Sequence, residues 1–200
     1  IEKSTTSSHL PCSQYHCGGS RCTGGQCSYS ISYTEGSSLR GLYVKDILWL
    51  DGDHTSGADR AKYSVDYVFG CHNKETNLFV TQLADGIMGV RSENPPASNL
   101  IYALKRAGKV EHKVFSLCLH DVGGVYTLGG YDPRLHVQPV QWVHARGFGV
   151  TTKQVTIGGQ DTGISMSRWN GGRGMIVDSG TTFTYVPRTA YGKIKSHVAS

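Results

Sequence analysis

The chain has 200 residues, 26 of them glycine and 11 tyrosine, and carries a formal net charge of +5. Its basic residues are scattered without an aromatic and basic stripe, which disfavours a nucleic-acid partner, and no apolar run approaches the roughly 20 residues of a membrane-spanning helix. Abundant glycine and tyrosine, with little long helical periodicity, favour an all-β fold that is rich in turns.

Cysteines are concentrated in the first part of the chain. Cys12, Cys17, Cys22 and Cys27 recur at every fifth position within a stretch rich in Gly and Ser. Zinc ligands usually come in closely spaced pairs separated by a longer gap, and the even spacing fits that pattern only marginally. Disulfides, and with them an oxidising compartment, are therefore favoured over zinc, while the pairing of these cysteines stays open.

The next segments predict strands and one clear helix. Two β-rich runs flank residues 34–38, which have the length of a hairpin turn. Residues 63–71 alternate and then become apolar, as in a strand that enters a core. Residues 95–110 predict a helix that Ser98 caps and Gly108 ends. The apolar stripe of that helix comprises Leu100, Ile101, Leu104 and Ala107.

The second half of the chain consists of short predicted strands and a closing helix. Residues 114–119 and 123–133 predict strands joined by a turn at Gly123 and Gly124. Dense turn residues near Pro133 indicate a lobe boundary. Beyond it, strands are predicted in residues 137–143, 150–159 and 174–180, and a helix from Thr189 to about Val198.

The stretch "GMIVDSGTTFTYVP", which begins at Gly174, holds the strongest candidate for chemistry. An apolar strand, predicted to be buried at its end, delivers Asp178 into a turn rich in hydroxyl groups. A buried carboxylate needs donors, and the turn offers backbone amides near Gly180 and the hydroxyls of Ser179 and Thr181. The triplet Asp-Ser-Gly alone is more often a plain turn, but the longer string favours a catalytic aspartate.

Several segments resemble pepsin-like aspartic proteases, in the order in which that family has them. The string "IVDSGTT" resembles the catalytic loop of the C-terminal lobe, and "ISYTEGSSLRG" resembles the flap, a hairpin that closes over bound peptide. "ADGIMGV" resembles the strand under the first catalytic loop, and "FSLCL" with "GGVYTLGGYDP" resembles the end of the first lobe. The cysteine run, "SYTEGS" and "GCHNKETNLFVTQLADGIMG" are further similar to the plasmepsin V type of apicomplexan aspartyl protease, which has a cysteine where this chain has Thr34.

The resemblance implies a truncated, bilobal, all-β fold of the pepsin-like aspartic proteases. Residues 1–134 would be the remainder of the N-terminal lobe, with a cysteine-rich insert at 12–27 and the flap at 28–43. Residues 135–200 would be the start of the C-terminal lobe.

The resemblance also implies hydrolysis of peptide bonds by a water activated between two aspartates, without a metal or cofactor. Asp178 would be catalytic, and Ser179 would support it structurally. The residues expected to bind substrate are Tyr33, Glu35, Gly36, Gly180 and Thr181. Cys71 and Cys118 resemble a disulfide pair found in cysteine-rich members of the family, and two buried free thiols are the alternative.

No second catalytic aspartate is evident in the sequence. Asp161 begins the triplet Asp-Thr-Gly, but it follows two glycines and a glutamine rather than an apolar strand, so it is predicted to be a hairpin-turn residue. Asp85 precedes a glycine, but no hydroxyl residue follows. The order of the family's motifs therefore puts the first catalytic loop upstream of Ile1, and the chain alone is expected to be inactive.

The implied partners are polypeptide substrates. For the plasmepsin V type, these are substrates with Arg-x-Leu-like motifs. Glu35 is a candidate contact for the substrate arginine. The implied location is the lumen of the secretory pathway, in the endoplasmic reticulum or Golgi, and a membrane anchor outside these residues is left open. Two alternatives remain: a catalytically inactive binding protein on the same fold, and a secreted cysteine-rich interaction module around residues 12–27.

Overall fold

The computed structural model describes residues 3–14, 17, 21–50, 57–91, 99–172 and 174–198. The chain forms two compact units, Ile1–Leu135 and His136–Ser200. Strands predominate in the described ranges and the helices are short, so the predicted all-β class is confirmed. The assignment of the units to two protease lobes stays a prediction.

An antiparallel sheet of five strands is the largest in the first unit. Its strands are β1 (Ser8–His9), β2 (Arg21–Thr23), β3 (Gln26–Ser32), β4 (Ser38–Leu48) and β5 (Val65–Glu75). Strand β5 runs along one edge of β4, and β3 and β1 pair with the other edge. The β4–β5 register shifts next to Gly41, where a Cβ atom would collide with the Cys71 carbonyl oxygen. The hairpin predicted around residues 34–38 is confirmed, since β3 pairs with β4.

The core of the first unit lies where helix α3 (Leu100–Arg106) packs on β5. Helix α1 (Gly57–Tyr63) links β4 to β5, and helix α2 (Leu78–Thr81) follows β5. Asn99 caps α3, because its side-chain oxygen accepts a hydrogen bond from the Ile101 N–H at 2.9 Å. The buried core residues at this contact are Val65, Leu100, Ala103 and Leu104.

Helix α3 differs from the prediction in its N-terminal cap and in one residue of its buried face. Ser98, the predicted cap, lies outside the described residues, and Asn99 acts as the cap instead. Ala107 is exposed because it is the C-terminal cap residue, and Ala103 takes the buried position. The predicted stop at Gly108 is confirmed, with a φ of +67° and its N–H donating to the Lys105 carbonyl at 3.1 Å.

A separate hairpin follows, formed by β6 (Phe115–His120) and β7 (Gly123–Leu128). Residue pairing leaves Asp121 and Val122 as its turn, so the turn predicted at Gly123 and Gly124 is wrong. Gly124 does not form the turn. It lies where β7 approaches β6 closely, and a Cβ atom there would collide with the Cys118 carbonyl oxygen.

The segment after α2 is irregular. The strand expected from "ADGIMGV" is absent, since residues 84–90 carry no strand. The neighbouring side chains of Leu83, Ile87 and Met88 are exposed. Gly86 and Gly89 interrupt this apolar run and have no side chain to pack, which weakens strand formation.

The second unit contains a sheet of three short strands and a hairpin of two. Strands β8 (Ala145–Arg146), β9 (Gly149–Val150) and β12 (Met175–Ile176) form the sheet, and β10 (Thr156–Ile157) and β11 (Gln160–Asp161) form the hairpin. Helices α4 (Met166–Trp169) and α5 (Arg188–Val198) contribute Trp169 and Ala190 to a core with Ile164.

The closing helix predicted near the C-terminal end is confirmed as α5. The strand predicted over residues 137–143 is wrong, because this segment is irregular and Val137, Trp142 and Val143 are exposed. Pro139 lies in the middle of that run and has no N–H to donate to a partner strand. No helix within the described ranges is both long and apolar enough to cross a membrane.

Candidate active site

Asp178 follows directly on the backbone pairing of strand β12. Met175 and Ile176 of β12 pair with β9. The Val177 N–H continues this pairing by donating to the Phe148 carbonyl at 3.0 Å. The sheet therefore fixes the backbone up to the residue before Asp178.

The turn after β12 supplies hydrogen-bond donors to the Asp178 carboxylate. The Gly180 N–H donates to Oδ1 at 2.9 Å, and the Thr181 hydroxyl donates to Oδ2 at 2.6 Å. The Thr181 N–H also donates to the Asp178 carbonyl at 3.3 Å. Both carboxylate oxygens thus accept a hydrogen bond, and these bonds hold the side chain in one orientation.

The same donors favour the ionised form of Asp178. The Thr181 hydroxyl, and after it the Gly180 N–H, hold the pKa of Asp178 below its ordinary value. Asp178 is exposed, so this shift arises from hydrogen bonds and not from burial. An oriented, ionised carboxylate can accept a proton from water, which is the action of a general base.

One expectation about this loop is wrong. The end of the strand is not buried, since Ile176 is 56% and Val177 65% exposed. Strand β12 is at the edge of its sheet, in the order β12-β9-β8, which leaves these side chains uncovered in the described part of the chain. The hydrogen bonds that reach the carboxylate within the described ranges come from Gly180 and Thr181, and the supporting role of Ser179 stays a prediction.

The hairpin that resembles the flap has its turn at residues 33–37, between β3 and β4. The Tyr33 N–H donates to the Ser37 carbonyl at 2.8 Å, and the Gly36 N–H donates to the Tyr33 carbonyl at 3.0 Å. Gly36 has a φ of +97°, which favours glycine. Glu35 is exposed at the tip. Burial, and after it the charge of Glu35, raises the pKa of Tyr33, so the Tyr33 hydroxyl remains a donor.

Residues of the segment around α2 contact this turn, although no sequence pattern predicts these contacts. The rings of Tyr33 and Phe79 have centroids 5.1 Å apart, and Phe79 is buried. The Asn77 side-chain amide donates to the Gly36 carbonyl at 2.9 Å. The only signal in the sequence is an Asn before a short apolar run, in "TNLF".

The predicted site residues fall into two groups. Tyr33, Glu35 and Gly36 lie together in the first unit, and Asp178, Gly180 and Thr181 lie together in the second.

The closely spaced cysteines form two disulfides, Cys12–Cys22 and Cys17–Cys27, with Cα–Cα distances of 6.0 and 5.4 Å. The predicted disulfides are confirmed, and the structure supplies the pairing that the sequence left open. The sulfur atoms of Cys12, Cys17 and Cys27 lie within 4.8 Å of one another. They are not zinc ligands in this state, because zinc binds thiolates and these sulfurs are in disulfides.

Cys71 and Cys118 are free, so the disulfide expected between them is not formed. Cys71 is half-buried on β5, where it pairs with Leu42 of β4. Cys118 is exposed on β6, where it pairs with Val125 of β7. The two strands belong to different sheets, so no strand pairing aligns the two thiols. The alternative of two buried thiols fails as well, because Cys118 is exposed.

Asp161 lies in strand β11 of the β10–β11 hairpin and pairs with Thr156, so the predicted hairpin is confirmed, but its turn is formed by Gly158 and Gly159 and not by Asp161. The Gly163 N–H donates to its Oδ1 at 2.6 Å, and the Gln154 side-chain amide donates to its Oδ2 at 3.0 Å. These two donors, Gly163 first, lower the pKa of Asp161. Both oxygens of this carboxylate are thereby engaged within the second unit.

An all-β fold with a flap-like hairpin and an Asp-Ser-Gly-Thr turn at a strand end is that of the pepsin-like aspartic proteases. The family model described as eukaryotic aspartyl protease matches residues 12–200. The chain therefore belongs to the eukaryotic aspartyl protease family, and the resemblance seen in the sequence is confirmed.

Curated relatives include proteases of parasites and plants. The chain is 39% identical over 118 residues to Aspartic protease 5 of Toxoplasma gondii, which covers 57% of the chain and 12% of that protein. It is 34% identical over 135 residues to Plasmepsin V of Plasmodium falciparum, which covers 66% of the chain and 22% of the relative. It is 32% identical over 177 residues to Aspartic proteinase 36 of Arabidopsis thaliana, and this match covers 84% of the chain and 35% of the relative. The chain thus spans 12% to 35% of the length of these relatives.

Proposed function

We propose that the protein is an aspartic endopeptidase in which Asp178 is one of two catalytic carboxylates. The observation that carries this proposal is the geometry of the Asp178 loop, in which both carboxylate oxygens accept hydrogen bonds and the pKa is lowered. The family membership and the names of the relatives support it.

Asp178 acts as the base in the proposed reaction. Its ionised carboxylate accepts a proton from a water molecule, whose oxygen attacks the carbon of the scissile peptide carbonyl. The second carboxyl group is protonated and donates a hydrogen bond to the carbonyl oxygen. Collapse of the tetrahedral intermediate breaks the C–N bond, and the leaving nitrogen takes up the proton that Asp178 accepted from the water, so Asp178 becomes ionised again. The Thr181 and Gly180 donors keep Asp178 ionised for the first step.

We place the second carboxylate outside these 200 residues. The rival within the chain is Asp161, and its carboxylate is engaged by Gly163 and Gln154 in a hairpin. The chain spans only 12% to 35% of the length of the relatives. Those proteins are therefore long enough to contain a second catalytic loop outside the matched part. The chain alone is therefore expected to lack peptidase activity.

Substitution of Asp178 in the full-length protein tests the proposal. Asp178→Asn keeps the shape of the side chain but removes the base, so kcat/KM for a peptide substrate should fall by roughly 10²–10⁴-fold. Asp161→Asn is the matched control and should leave kcat/KM within about twofold of wild type. Unchanged hydrolysis by the Asp178→Asn protein would contradict the proposal. Absence of hydrolysis by the wild-type full-length protein would favour the inactive binding protein.

Glu35 is proposed to contact a basic residue of the substrate. It is exposed at the tip of the flap-like hairpin, where a carboxylate can form a charge-assisted pair with arginine. We expect Glu35→Lys to lower kcat/KM for peptides with Arg-x-Leu-like motifs about tenfold, and less for peptides with alanine in place of arginine. Asp121→Lys, in the exposed β6–β7 turn, controls for the change in net charge. An unchanged preference for arginine would remove Glu35 from the substrate site.

The two disulfides support a location in an oxidising lumen, and we propose the secretory pathway, in the endoplasmic reticulum or Golgi. Tyr33 and Gly36 of the first unit are proposed to contact the peptide substrate, and so are Gly180 and Thr181 of the second unit.

A further inference from the structure

We propose that residues 76–79, termed the clasp, hold the tip of the β3–β4 hairpin in place and that Asn77 is the residue that positions it. The proposal depends on the proposed function only in taking this hairpin as the flap of a protease.

The clasp donates two hydrogen bonds to the hairpin tip. The Asn77 side-chain amide donates to the Gly36 carbonyl at 2.9 Å. The Leu78 N–H of the clasp likewise donates to the Ser37 hydroxyl at 3.3 Å. Leu78 is the first residue of α2, so a residue of the hairpin supplies an acceptor to the start of that helix.

Asn77 does not cap α2 with its own side chain, although it occupies the N-cap position. Asn at that position usually accepts a hydrogen bond from the first helical turn. Here its amide is directed to Gly36 instead. Asn77 is also the one non-glycine residue with positive φ in the described part of the chain, at +53°. Such a backbone persists only where its surroundings impose it, and the bond to Gly36 is a contact that this conformation makes possible.

Further contacts at the two ends of the clasp make the attachment firm. Thr76 exchanges hydrogen bonds with Ser38, through the Ser38 N–H to the Thr76 hydroxyl at 2.9 Å and the Thr76 N–H to the Ser38 carbonyl at 3.1 Å. At the other end, the buried Phe79 ring packs on Tyr33. Ser37 is fully buried between these contacts. The hairpin tip is thus held by side chains on the clasp and not only by its own strand pairing.

Hydrogen exchange on the 200-residue chain tests the clasp without reference to catalysis. Asn77→Asp keeps the shape and the tolerance of positive φ but removes the donor, so the Tyr33 and Gly36 amides should exchange roughly three- to tenfold faster. Asn77→Gly removes the side chain and relieves the backbone, and it should accelerate the same amides. The Ala103 amide in α3 should keep its rate, which shows that global unfolding is unchanged.

Asn73→Asp is the matched control, because it makes the same chemical change at an exposed position of β5. It should leave the Tyr33 and Gly36 exchange rates unchanged. Unaltered rates in both Asn77 variants, or equal acceleration by Asn73→Asp, would overturn the clasp.

Kinetics of the full-length protein test the positioning role. A loosened flap loses binding that is equal in the ground and transition states, so Asn77→Asp should raise KM about three- to tenfold with kcat within about twofold. Faster exchange with an unchanged KM would overturn the positioning role of Asn77. A wild-type protein without peptidase activity would instead contradict the proposed function, and the exchange rates would still decide the clasp.

Discussion

Thr181 has the largest effect on the pKa of Asp178. Its hydroxyl is the largest cause of the lowered pKa, ahead of the Gly180 N–H. Both bonds stabilise the ionised carboxylate and are lost when it is protonated. They therefore contribute to folding above the pKa of the unfolded chain, and this contribution disappears as pH falls through the lower folded pKa. Because Asp178 is exposed, the main consequence concerns its charge state and not stability.

We predict that Thr181→Val raises the pKa of Asp178 toward its ordinary value. Valine keeps the shape of threonine but cannot donate to Oδ2. A pH titration of the Asp178 carboxyl ¹³C signal by NMR measures the shift. Thr182→Val makes the same change at the next residue, which is exposed, and should leave the titration unaltered. An unchanged pKa in Thr181→Val would remove the hydroxyl as the cause.

At the residue scale, sequence patterns predicted the two local donors to Asp178 but not the contact between Asn77 and the hairpin turn. The order of Asp178, Gly180 and Thr181 predicts local donors, because a turn this short brings them to the carboxylate. The role of Asn77 could not be predicted, since it faces Gly36 across a separation of 41 residues. Such a contact depends on the β4–β5 register, which no local pattern encodes.

At the scale of elements, helix α3 depends on Asn99 more than on its own propensity. Asn99 is 3% exposed, caps the helix at Ile101, and also donates to the Arg91 carbonyl at 2.5 Å. Its amide thus ties the helix start to the preceding segment. An isolated helix as short as Leu100–Arg106 is marginal in water, so its cap and its packing on Val65 must stabilise it.

We predict that Asn99→Ala lowers the free energy of unfolding by about 1–2 kcal/mol, because it removes the cap and leaves the N–H of the buried Ile101 without its acceptor. Urea denaturation of the 200-residue chain measures the change. Asn73→Ala, at an exposed strand position, should change stability by less than about 0.5 kcal/mol. A larger loss in Ser98→Ala than in Asn99→Ala would restore Ser98 as the cap.

The elements that sequence patterns predicted well are those with local determinants. The β3–β4 hairpin, helix α3 with its Gly108 stop, and the closing helix α5 all carry a turn, a cap or an amphipathic period. The β6–β7 turn was misplaced because Gly123 and Gly124 look like turn residues but lie in β7. Gly124 is needed because the two strands approach closely there. In a single sequence, a glycine required for this reason cannot be distinguished from a glycine required by a turn.

At the scale of the whole molecule, the disulfides compensate for the modest core of the first unit. Each bridge spans a sequence separation of 10 residues, and together they link the segment from Cys12 to the strands β2 and β3. In the chain-entropy model a loop of this size contributes roughly 2–3 kcal/mol. Cys27 is fully buried, so one bridge is also part of the packed interior.

The free and the disulfide-bonded cysteines should react differently with an alkylating reagent. The chain has 6 cysteines, and only Cys71 and Cys118 are free. Alkylation of the unreduced, denatured chain should therefore modify these two and leave the bridged cysteines protected. In the native chain Cys118 should react faster than Cys71, because Cys118 is exposed and Cys71 is half-buried.

Peptide mapping by mass spectrometry distinguishes this pattern from its rivals. A linked pair of peptides that contain Cys71 and Cys118 would restore the bridge expected from the family. Modification of all the cysteines without reduction, after a chelator has been added, would favour zinc over the Cys12–Cys22 and Cys17–Cys27 disulfides. A Cys71–Cys118 bridge would add a disulfide and would agree with the proposed oxidising location. Zinc in place of the two disulfides would remove the chemical reason for a lumenal compartment.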